Sequence, residues 1–230
     1  MTFSLLHPTA RVPEGWHPAW RAWSAACDDP SDCEYLVVVD EKDITRYPFI
    51  ASALVNAANG RVIFPKIRMN SGRPCAVDAW NVAAREATGD VLVCVADDWF
   101  PCEHWDTLLK AAIPDLKGQY VVWVGSNHCP GLIIHPILTR AYYERPGRGG
   151  MPHGELFYPD YISVGCDDDF TSYAKQDGVV IRASNIQFEH RHPSAGIGAL
   201  DDVYNHSNRQ EAWDRKEEVL ARRHGDGFKK

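Results

Sequence analysis

The sequence has few of the features that are typical of zinc-stabilised, membrane-spanning or secreted proteins. Its seven cysteines are scattered, include no CxxC pair and lie mostly inside apolar stretches, so they predict neither a zinc finger nor a disulfide framework. No apolar run approaches the roughly 18 residues that a membrane-spanning helix requires. The start of the chain, MTFSLLHP, lacks the basic segment of a secretion signal. We therefore expect a cytoplasmic protein.

Basic residues are also in short supply. Lys and Arg number 24 against 31 Asp and Glu, which gives a formal net charge of −7 at pH 7. Broad, non-specific binding of nucleic acid depends on an excess of positive surface charge. The composition therefore disfavours that class of protein, while it leaves a local basic groove open.

The chain does contain a regular alternation of short apolar runs and helical patterns in its first half. With 230 residues it has room for one large domain, or for one domain and a small appendage. Strands are predicted at 3–6, 35–39, 61–64, 91–95 and 120–124. Helices are predicted at 74–87 and 102–113, and Trp16, Trp20 and Trp23 recur at helical spacing as a core-facing stripe. This alternation predicts an α/β fold with a mainly parallel central sheet flanked by helices.

Two adjacent carboxylates, Asp97 and Asp98, follow the most apolar of these strands. In an open α/β sheet, ligands bind just outside the carboxyl ends of the strands. Adjacent carboxylates repel each other and are stabilised by a cation, and their hard oxygen ligands suit Mg²⁺ or Mn²⁺. The alternative is that both residues open a loop and cap the next helix.

Other polar residues follow the neighbouring strands. Thr9 and Arg11 lie in the loop after the first strand, within reach of a nucleotide. Asp40 ends the second strand, where a carboxylate accepts hydrogen bonds from a ribose or a base. The segment Asn70-Ser71-Gly72 precedes a helix, and backbone N–H groups at a helix start form an anion site. A plain loop or a helix cap is the alternative at each position.

The second half of the chain has a different character. The segment 144–154 contains two prolines and four glycines, which predicts a mobile loop and a candidate lid. A helix is predicted at 170–176, with short strands at 179–182 and 186–189. The final helix is predicted at 208–223, with its apolar side chains facing inward. Those side chains are Trp213, Val219 and Leu220.

Acids and histidines in this half are candidate functional residues. Three aspartates, Asp167, Asp168 and Asp169, precede a predicted helix, and three are more than helix capping needs. One of them is a candidate general base. His190 and His192 lie two residues apart at a strand end, which favours metal binding over a purely structural role.

The order of these pieces resembles the GT-A fold nucleotide-sugar glycosyltransferases, specifically the family-2-like group. The resemblance covers roughly residues 2–193 and is specific for the fold, but not for the sugar or the acceptor. The matching pieces are LHPTAR at 6–11, VVD at 38–40, NSG at 70–72, AWNVAA at 79–84, ATGD at 87–90 and ADD at 96–98.

The resemblance implies roles for the residues at the strand ends. In that family, the first loop and the acid that ends the second strand hold the nucleotide, commonly uridine. The ADD segment corresponds to the family's D-x-D element, with alanine in place of its first acid. Asp98 is then the metal ligand, and Asp97 faces the ribose or the ion. The implied donor-binding residues are Pro8, Thr9, Arg11, Asp40, Asn70, Gly72 and Asp97.

The resemblance also implies a base and a metal. The family's base is the aspartate of a Glu-Asp pair that opens a helix, and alignment on Phe170 places it at Asp167. Cys166 replaces the glutamate, so Asp168 and Asp169 stay open as alternatives, and Asp167 and Asp169 are the catalytic candidates. His190 or His192 completes a site for Mn²⁺ or Mg²⁺. The implied reaction is an inverting transfer in which the 147–154 loop closes over the donor.

The implied organisation is a single transferase domain over 1–205, with a nucleotide-sugar-binding half (1–127) and an acceptor half (128–205). Residues 206–230 form a C-terminal helix and tail. The donor is a UDP-sugar, and the acceptor is a glycan or, by similarity to transferases of bacteria and their viruses, a modified DNA base. The protein would then act in the cytoplasm, that of the host if it is viral, without a membrane partner.

Two other functions fit parts of the pattern. A nucleotidyltransferase also uses metal-bound aspartates, but it needs a glycine-rich loop after the first strand, and the segment Pro8–Arg11 contains no glycine. A non-catalytic binding module on a decayed transferase fold would explain the missing first acid of the D-x-D element. The acid cluster and the paired histidines oppose that alternative.

Overall fold

The computed structural model describes residues 1–46, 63, 65–198 and 200–225. The predicted strand at 61–64 therefore lies outside the described residues, except for Ile63. The strands are β1 Phe3–Pro8, β2 Cys33–Asp40, β3 Pro65–Asn70, β4 Val91–Cys94, β5 Trp99–Phe100, β6 Val121–Ser126, β7 Ile137–Thr139 and β8 Val180–His190. The α-helices are α1 Pro13–Ala25, α2 Ala76–Glu86, α3 Trp105–Ala112, α4 Arg140–Tyr143, α5 Cys166–Gln176, α6 Asp202–Ser207 and α7 Gln210–His224.

The described strands form one sheet in the order β3-β2-β1-β4-β7-β6-β8-β5. Strands β3, β2, β1 and β4 are mutually parallel, and β6 pairs with β8 in parallel. Strands β7 and β5 run antiparallel to their neighbours. Four of the seven pairings among the described strands are therefore parallel, which confirms the predicted α/β fold with a mainly parallel sheet.

The simple β-α alternation fails where consecutive strands have no helix between them: β5 follows β4 directly, and β7 follows β6 and lies between β4 and β6 in the sheet. The link from β6 to β7 covers residues 127–136 and contains no helix. A parallel neighbour needs a crossover of roughly a dozen residues or more, usually with a helix. The shorter link instead returns the chain antiparallel, and it also brings His135 to the carboxyl end of β4.

Helices cover the sheet on both faces. Side chains alternate along the central strands, so that Leu5 packs with α1 and α3 on one face, and Leu6 packs with α2, α5 and α7 on the other. Trp16, Trp20 and Trp23 are at most 1% exposed, which confirms the predicted core stripe of α1. Burial of strand residues on both faces is typical of the parallel part of an α/β sheet.

The glycine-rich segment 144–154 packs against the protein instead of covering the cleft. Arg148 and Gly149 are buried. Arg148 donates to the carbonyl of Leu156, and a Cβ at Gly149 would contact Tyr173 of α5 at 2.9 Å. No residue of 144–154 borders the large cleft described below. The predicted lid is therefore wrong.

Three differences from prediction concern β8, α5 and α7. The two strands predicted at 179–182 and 186–189 form one strand, β8, because an irregularity in its register against β6 absorbs the interruption. Helix α5 begins at Cys166, so the three aspartates occupy its first turn, where acids are favoured by the helix dipole. In α7, Val219 and Leu220 are buried as predicted, but Trp213 is 41% exposed.

A buried asparagine in α2 holds the backbone at residues 156–157, in the segment that precedes α5. Asn81 is 2% exposed, and its Oδ1 accepts hydrogen bonds from the backbone N–H groups of Leu156 and Phe157, both at 2.9 Å. Its Nδ2 donates to the carbonyl of Phe157 at 3.0 Å. A mid-helix asparagine is unfavourable without such partners. The hydrogen bonds of Asn81 therefore stabilise the tertiary structure, although asparagine lowers the intrinsic stability of helix α2.

We expect the substitution Asn81→Leu to lower the free energy of unfolding by about 2–4 kcal/mol, because it leaves two N–H groups and one carbonyl buried without partners. The measurement is urea unfolding followed by circular dichroism. Gln176→Ala removes an exposed helical amide of α5 and is the matched control, with an expected change below about 0.5 kcal/mol. Equal effects of the two substitutions would contradict the role given to Asn81.

Candidate active site

The carboxyl ends of β1, β2 and β4 meet beside an open cleft of about 1480 Å³. Pro8, Asp40 and Asp98 all border it, each just after or at the end of one of these strands. The second half of the chain supplies the opposite border, from α5, the end of β8 and α7. This is the position at which open α/β sheets bind ligands.

Asp97 is held by protein groups on both of its carboxylate oxygens. Its Oδ1 lies 2.9 Å from His7 Nε2, and its Oδ2 accepts from Thr9 Oγ1 at 3.1 Å and pairs with Arg11 Nε at 3.1 Å. His7 is fully buried, and its Nδ1 lies 2.7 Å from the Tyr35 hydroxyl. Because a carboxylate only accepts, His7 donates from Nε2 and accepts the Tyr35 proton at Nδ1. Asp97 therefore anchors the first loop.

Asp98 lies in a cluster of possible metal ligands. One ligand atom from each of Asp98, His135 and His190 lies within 4.8 Å of the other two. His190 Nε2 is 3.4 Å from Asp98 Oδ2. Both ring nitrogens of His135 and Nδ1 of His190 are buried and have no hydrogen-bond partner among the described residues. Buried polar atoms are rarely left unpaired, so these nitrogens fit a site for a bound cation.

The protonation states in this cluster also suit a metal. Burial alone would raise the pKa of Asp98, but the hydrogen bond and charge of His190 hold it at about 2. Burial, with the charge of His190, lowers the pKa of His135 to about 3. At neutral pH the carboxylate of Asp98 is ionised and the imidazole of His135 is neutral, as metal coordination requires.

The other predicted metal ligand, His192, lies beside this cluster. Its ring centroid is 4.9 Å from that of His190, and its Nδ1 is 2.7 Å from Ser194 Oγ. Ser194 Oγ is also 3.0 Å from His128 Nε2. The structure thus groups Asp98 with His190 and His135, and places His192 in a neighbouring contact with Ser194.

The residues predicted to bind the donor nucleotide fall into two groups. Pro8, Thr9, Arg11, Asp40 and Asp97 border the cleft. Asn70 and Gly72 do not: Asn70 is 2% exposed and lies behind Asp40. Its Nδ2 donates to Asp40 Oδ1 at 3.2 Å, and its Oδ1 accepts from the Gly72 N–H at 3.0 Å. Asn70 therefore orients Asp40 and closes the turn.

The three aspartates of α5 have three different environments. Asp168 Oδ2 lies 2.5 Å from Lys216 Nζ. Asp169 is fully buried, with its Oδ1 2.9 Å from Arg223 Nε and 2.6 Å from His224 Nε2. All three partners belong to α7. Asp169 does not border the cleft, so its predicted catalytic role is corrected to a structural one.

Asp167 borders the cleft and has no cationic side chain at salt-bridge distance within the described residues. Burial and the charge of Asp168 raise the pKa of Asp167 to about 6, although Lys216 acts in the opposite direction. A carboxylate with a pKa near the working pH is well suited to general-base catalysis. Asp167 therefore differs from Asp168 and Asp169, which are both held in ion pairs with α7.

Sequence reasoning missed three residues of the site, namely His7, His135 and Lys216. His7 carried a usable signal, because a histidine inside the apolar strand β1 needs buried partners. His135 and Lys216 carried none. His135 lies in the link before β7, and Lys216 looks like any other lysine of a charged helix.

Comparisons with known proteins identify the fold. No family profile matches the chain, and no curated protein sequence matches it. Among solved structures, S. aureus TarS 1–349 in complex with UDP-GlcNAc has a TM-score of 0.63 at 15% identity, over 100% of this chain and 68% of that one. GalNAc-T7 with UDP, GalNAc and Mn²⁺ has a TM-score of 0.64 at 13% identity, over 96% of this chain and 47% of that one.

A third structure extends the comparison to another nucleotide. The mannosyltransferase PcManGT from Pyrobaculum calidifontis, with GDP-Man and Mn²⁺, has a TM-score of 0.56 at 18% identity, over 85% of this chain and 58% of that one. This chain thus spans about half of GalNAc-T7 and of PcManGT. At these identities the likeness shows the fold alone, and the fold of this chain is the GT-A fold of these glycosyltransferases.

We expect His135→Ala to weaken Mn²⁺ binding by about 10- to 100-fold or more, because it removes one of three convergent ligands. The measurement is titration calorimetry with MnCl₂. Asp98→Asn, which keeps the side-chain shape, is expected to have the same effect. His128→Ala removes a nearby histidine outside the cluster and is the control. If His128→Ala and His135→Ala weakened binding equally, the assignment of ligands would be wrong.

Two substitutions are expected to move the pKa of Asp167 in opposite directions. Asp168→Asn removes a negative charge and lowers the pKa from about 6. Lys216→Met removes a positive charge and raises it. The measurement is ¹³C NMR titration of carboxyl-labelled aspartate, with the resonance of Asp167 assigned by its loss in Asp167→Asn. Titration of Asp167 near the ordinary pKa of an aspartate in the unsubstituted protein would contradict the environment assigned to this carboxyl.

Proposed function

We propose that the protein is a metal-dependent glycosyltransferase that moves a sugar from a UDP-sugar to an acceptor hydroxyl with inversion. One observation carries the proposal. The cleft holds Asp40 and the first loop on one side, the Asp98–His135–His190 cluster beside them, and Asp167 on α5. A transferase of this kind needs a nucleotide site, a cation for the diphosphate and a base.

The nucleotide site is formed by the first loop and by Asp40. Thr9 and Arg11 are held in place by Asp97, so they are ordered before a ligand binds. Asp40, oriented by Asn70, is an acceptor for a ribose hydroxyl or the imide N–H of uracil. TarS and GalNAc-T7 were crystallised with uridine nucleotides, which supports UDP over GDP.

The metal site favours Mn²⁺ over Mg²⁺. Two of the three convergent side chains are imidazoles, which suit transition metals better than Mg²⁺, whose preferred ligands are oxygens. Bound there, the cation supplies charge neutralisation for the diphosphate leaving group. GalNAc-T7 and PcManGT contain Mn²⁺, which supports the same choice.

Asp167 is the general base. Its carboxylate takes the proton of the acceptor hydroxyl while the hydroxyl oxygen attacks the anomeric carbon of the donor. The bond from that carbon to the diphosphate oxygen breaks, and the nucleoside diphosphate leaves with the electron pair. Asp168 is neutralised by Lys216 and keeps its place in the first turn, so it is not available as the base.

The two alternative functions receive less support. The first loop closes on Asp97 through Thr9 and Arg11, and it has no glycine-rich backbone cradle for a nucleotidyl transfer. A decayed module has no need of a carboxylate with a raised pKa beside a set of convergent metal ligands. In the described part of the chain, no helix is both long and apolar enough to cross a membrane.

We expect Asp167→Asn to reduce release of UDP from a UDP-sugar by about 100-fold or more, because it removes the base. The same variant keeps the Mn²⁺-dependent rise in melting temperature with UDP, because Asp167 does not hold the nucleotide. Asp98→Asn is expected to lose both the activity and the metal-dependent shift. The readouts are coupled UDP release and thermal unfolding with and without MnCl₂.

Asp214→Asn, on the exposed side of α7, is the control and should behave like the unsubstituted protein. Full activity of Asp167→Asn would rule out this residue as the base. Failure of UDP and every other nucleotide to shift the melting temperature would overturn the proposed function itself.

A further inference from the structure

Helix α7 forms part of the cleft with a single side-chain stripe. Arg209 at its N-cap, Trp213 and Lys216 are spaced at i, i+4 and i+7, and all three border the cleft. Residues with this spacing share one face of a helix. The adjacent face, with Val219 and Leu220, is buried in the core. The stripe is therefore held rigidly against the rest of the protein.

Trp213 is the unusual member of this stripe. It is one of the few large apolar side chains among the described residues that is exposed, at 41%, and it is exposed toward the cleft. Its indole N–H donates to no group within the described residues. A tryptophan with an accessible ring and a free N–H is suited to contact a ligand that has both apolar and polar edges.

The stripe also connects Trp213 to the proposed base. Lys216 Nζ lies 5.2 Å from the ring centroid of Trp213 and 2.5 Å from Asp168 Oδ2. Asp168 follows Asp167 directly in the first turn of α5, and both residues border the cleft. Trp213 therefore lies about one lysine side chain away from the turn that carries the proposed proton acceptor.

The charges of the cleft select against an anionic acceptor. Eight aspartates border it, against three arginines and two lysines, within the described residues. A divalent cation and the diphosphate of a donor roughly cancel each other. The two cations of the stripe are already paired, Lys216 with Asp168 and Arg209 with Glu211 at 3.1 Å. No unpaired cation of the stripe is therefore left to bind a phosphate group of the acceptor.

We propose that Trp213 is the platform for the acceptor, and that the acceptor is an uncharged carbohydrate whose apolar ring face stacks on the indole. The inference rests on the proposed function and names the acceptor class of the same site. A nucleobase would also stack on Trp213, but it carries a phosphodiester chain into a cleft with excess negative charge. The carbohydrate class therefore replaces the DNA base as the expected acceptor.

The test measures UDP release from UDP-glucose and UDP-N-acetylglucosamine with Mn²⁺, in the presence of methyl glycosides of glucose, galactose, mannose and N-acetylglucosamine. We expect at least one neutral glycoside to raise the rate saturably above hydrolysis by water. Glucose 6-phosphate and a single-stranded oligonucleotide should give no increase. The substitution Trp213→Ala should raise KM for the active glycoside by about tenfold, and Trp213→Phe should restore most of it.

Two controls separate this inference from the proposed function. The dissociation constant of UDP with Mn²⁺, measured by calorimetry, should be unchanged in Trp213→Ala, because the proposal assigns the indole to the acceptor. Ile197→Ala removes another exposed apolar side chain, 51% exposed and outside the cleft border, and should leave KM unchanged.

If UDP binds but no neutral glycoside accelerates its release, or if only the oligonucleotide or the phosphorylated sugar does, the inference is overturned and the proposed donor chemistry survives. An unchanged KM in Trp213→Ala also overturns it. If UDP does not bind at all, the proposed function fails, and this inference fails with it.

Discussion

The concentration of carboxylates at one end of the sheet is the constraint on which the rest of the structure depends. Like charges in a partly buried space repel each other strongly, so each carboxylate needs a cation or a donor. Asp97 is paired with Arg11, Asp98 with His190, and Asp168 with Lys216. Within the described residues Asp167 has no such partner, and burial together with the charge of Asp168 raises its pKa to about 6. The three paired acids are fixed by their partners, whereas Asp167 has no cationic partner at salt-bridge distance within the described residues.

This pattern makes the C-terminal helix part of the site. Helix α7 brings Lys216 to Asp168, and Arg223 with His224 to the fully buried Asp169. Removal of one partner from a buried ion pair costs about 3–5 kcal/mol, because it leaves an uncompensated charge. The position of α5, and with it the direction of Asp167, is therefore coupled to the docking of α7. The same docking places Trp213 on the cleft.

Prediction was most accurate where local patterns carry the information. The apolar runs of β1, β2 and β4 and the tryptophan stripe of α1 follow from periodicity, because burial on both faces and helical spacing leave a direct mark on residue order. Prediction failed at 144–154, where glycine and proline content indicated a mobile loop. Arg148 anchors that segment in the core, and composition gives no indication of such a contact.

By itself, the sequence determined the α/β fold, the strand ends that face the cleft, and the presence there of Asp40, Asp97 and Asp98, because parallel strands bring their carboxyl ends together. Only the tertiary structure decided which acid of α5 borders the cleft without an ion-pair partner among the described residues, which histidines lie beside Asp98, and that Trp213 borders the cleft. These assignments depend on contacts between residues as far apart as Asp168 and Lys216. Local sequence patterns do not reveal such contacts. The burial and protonation of a side chain depend on its neighbours in the fold, and these are distant in the sequence.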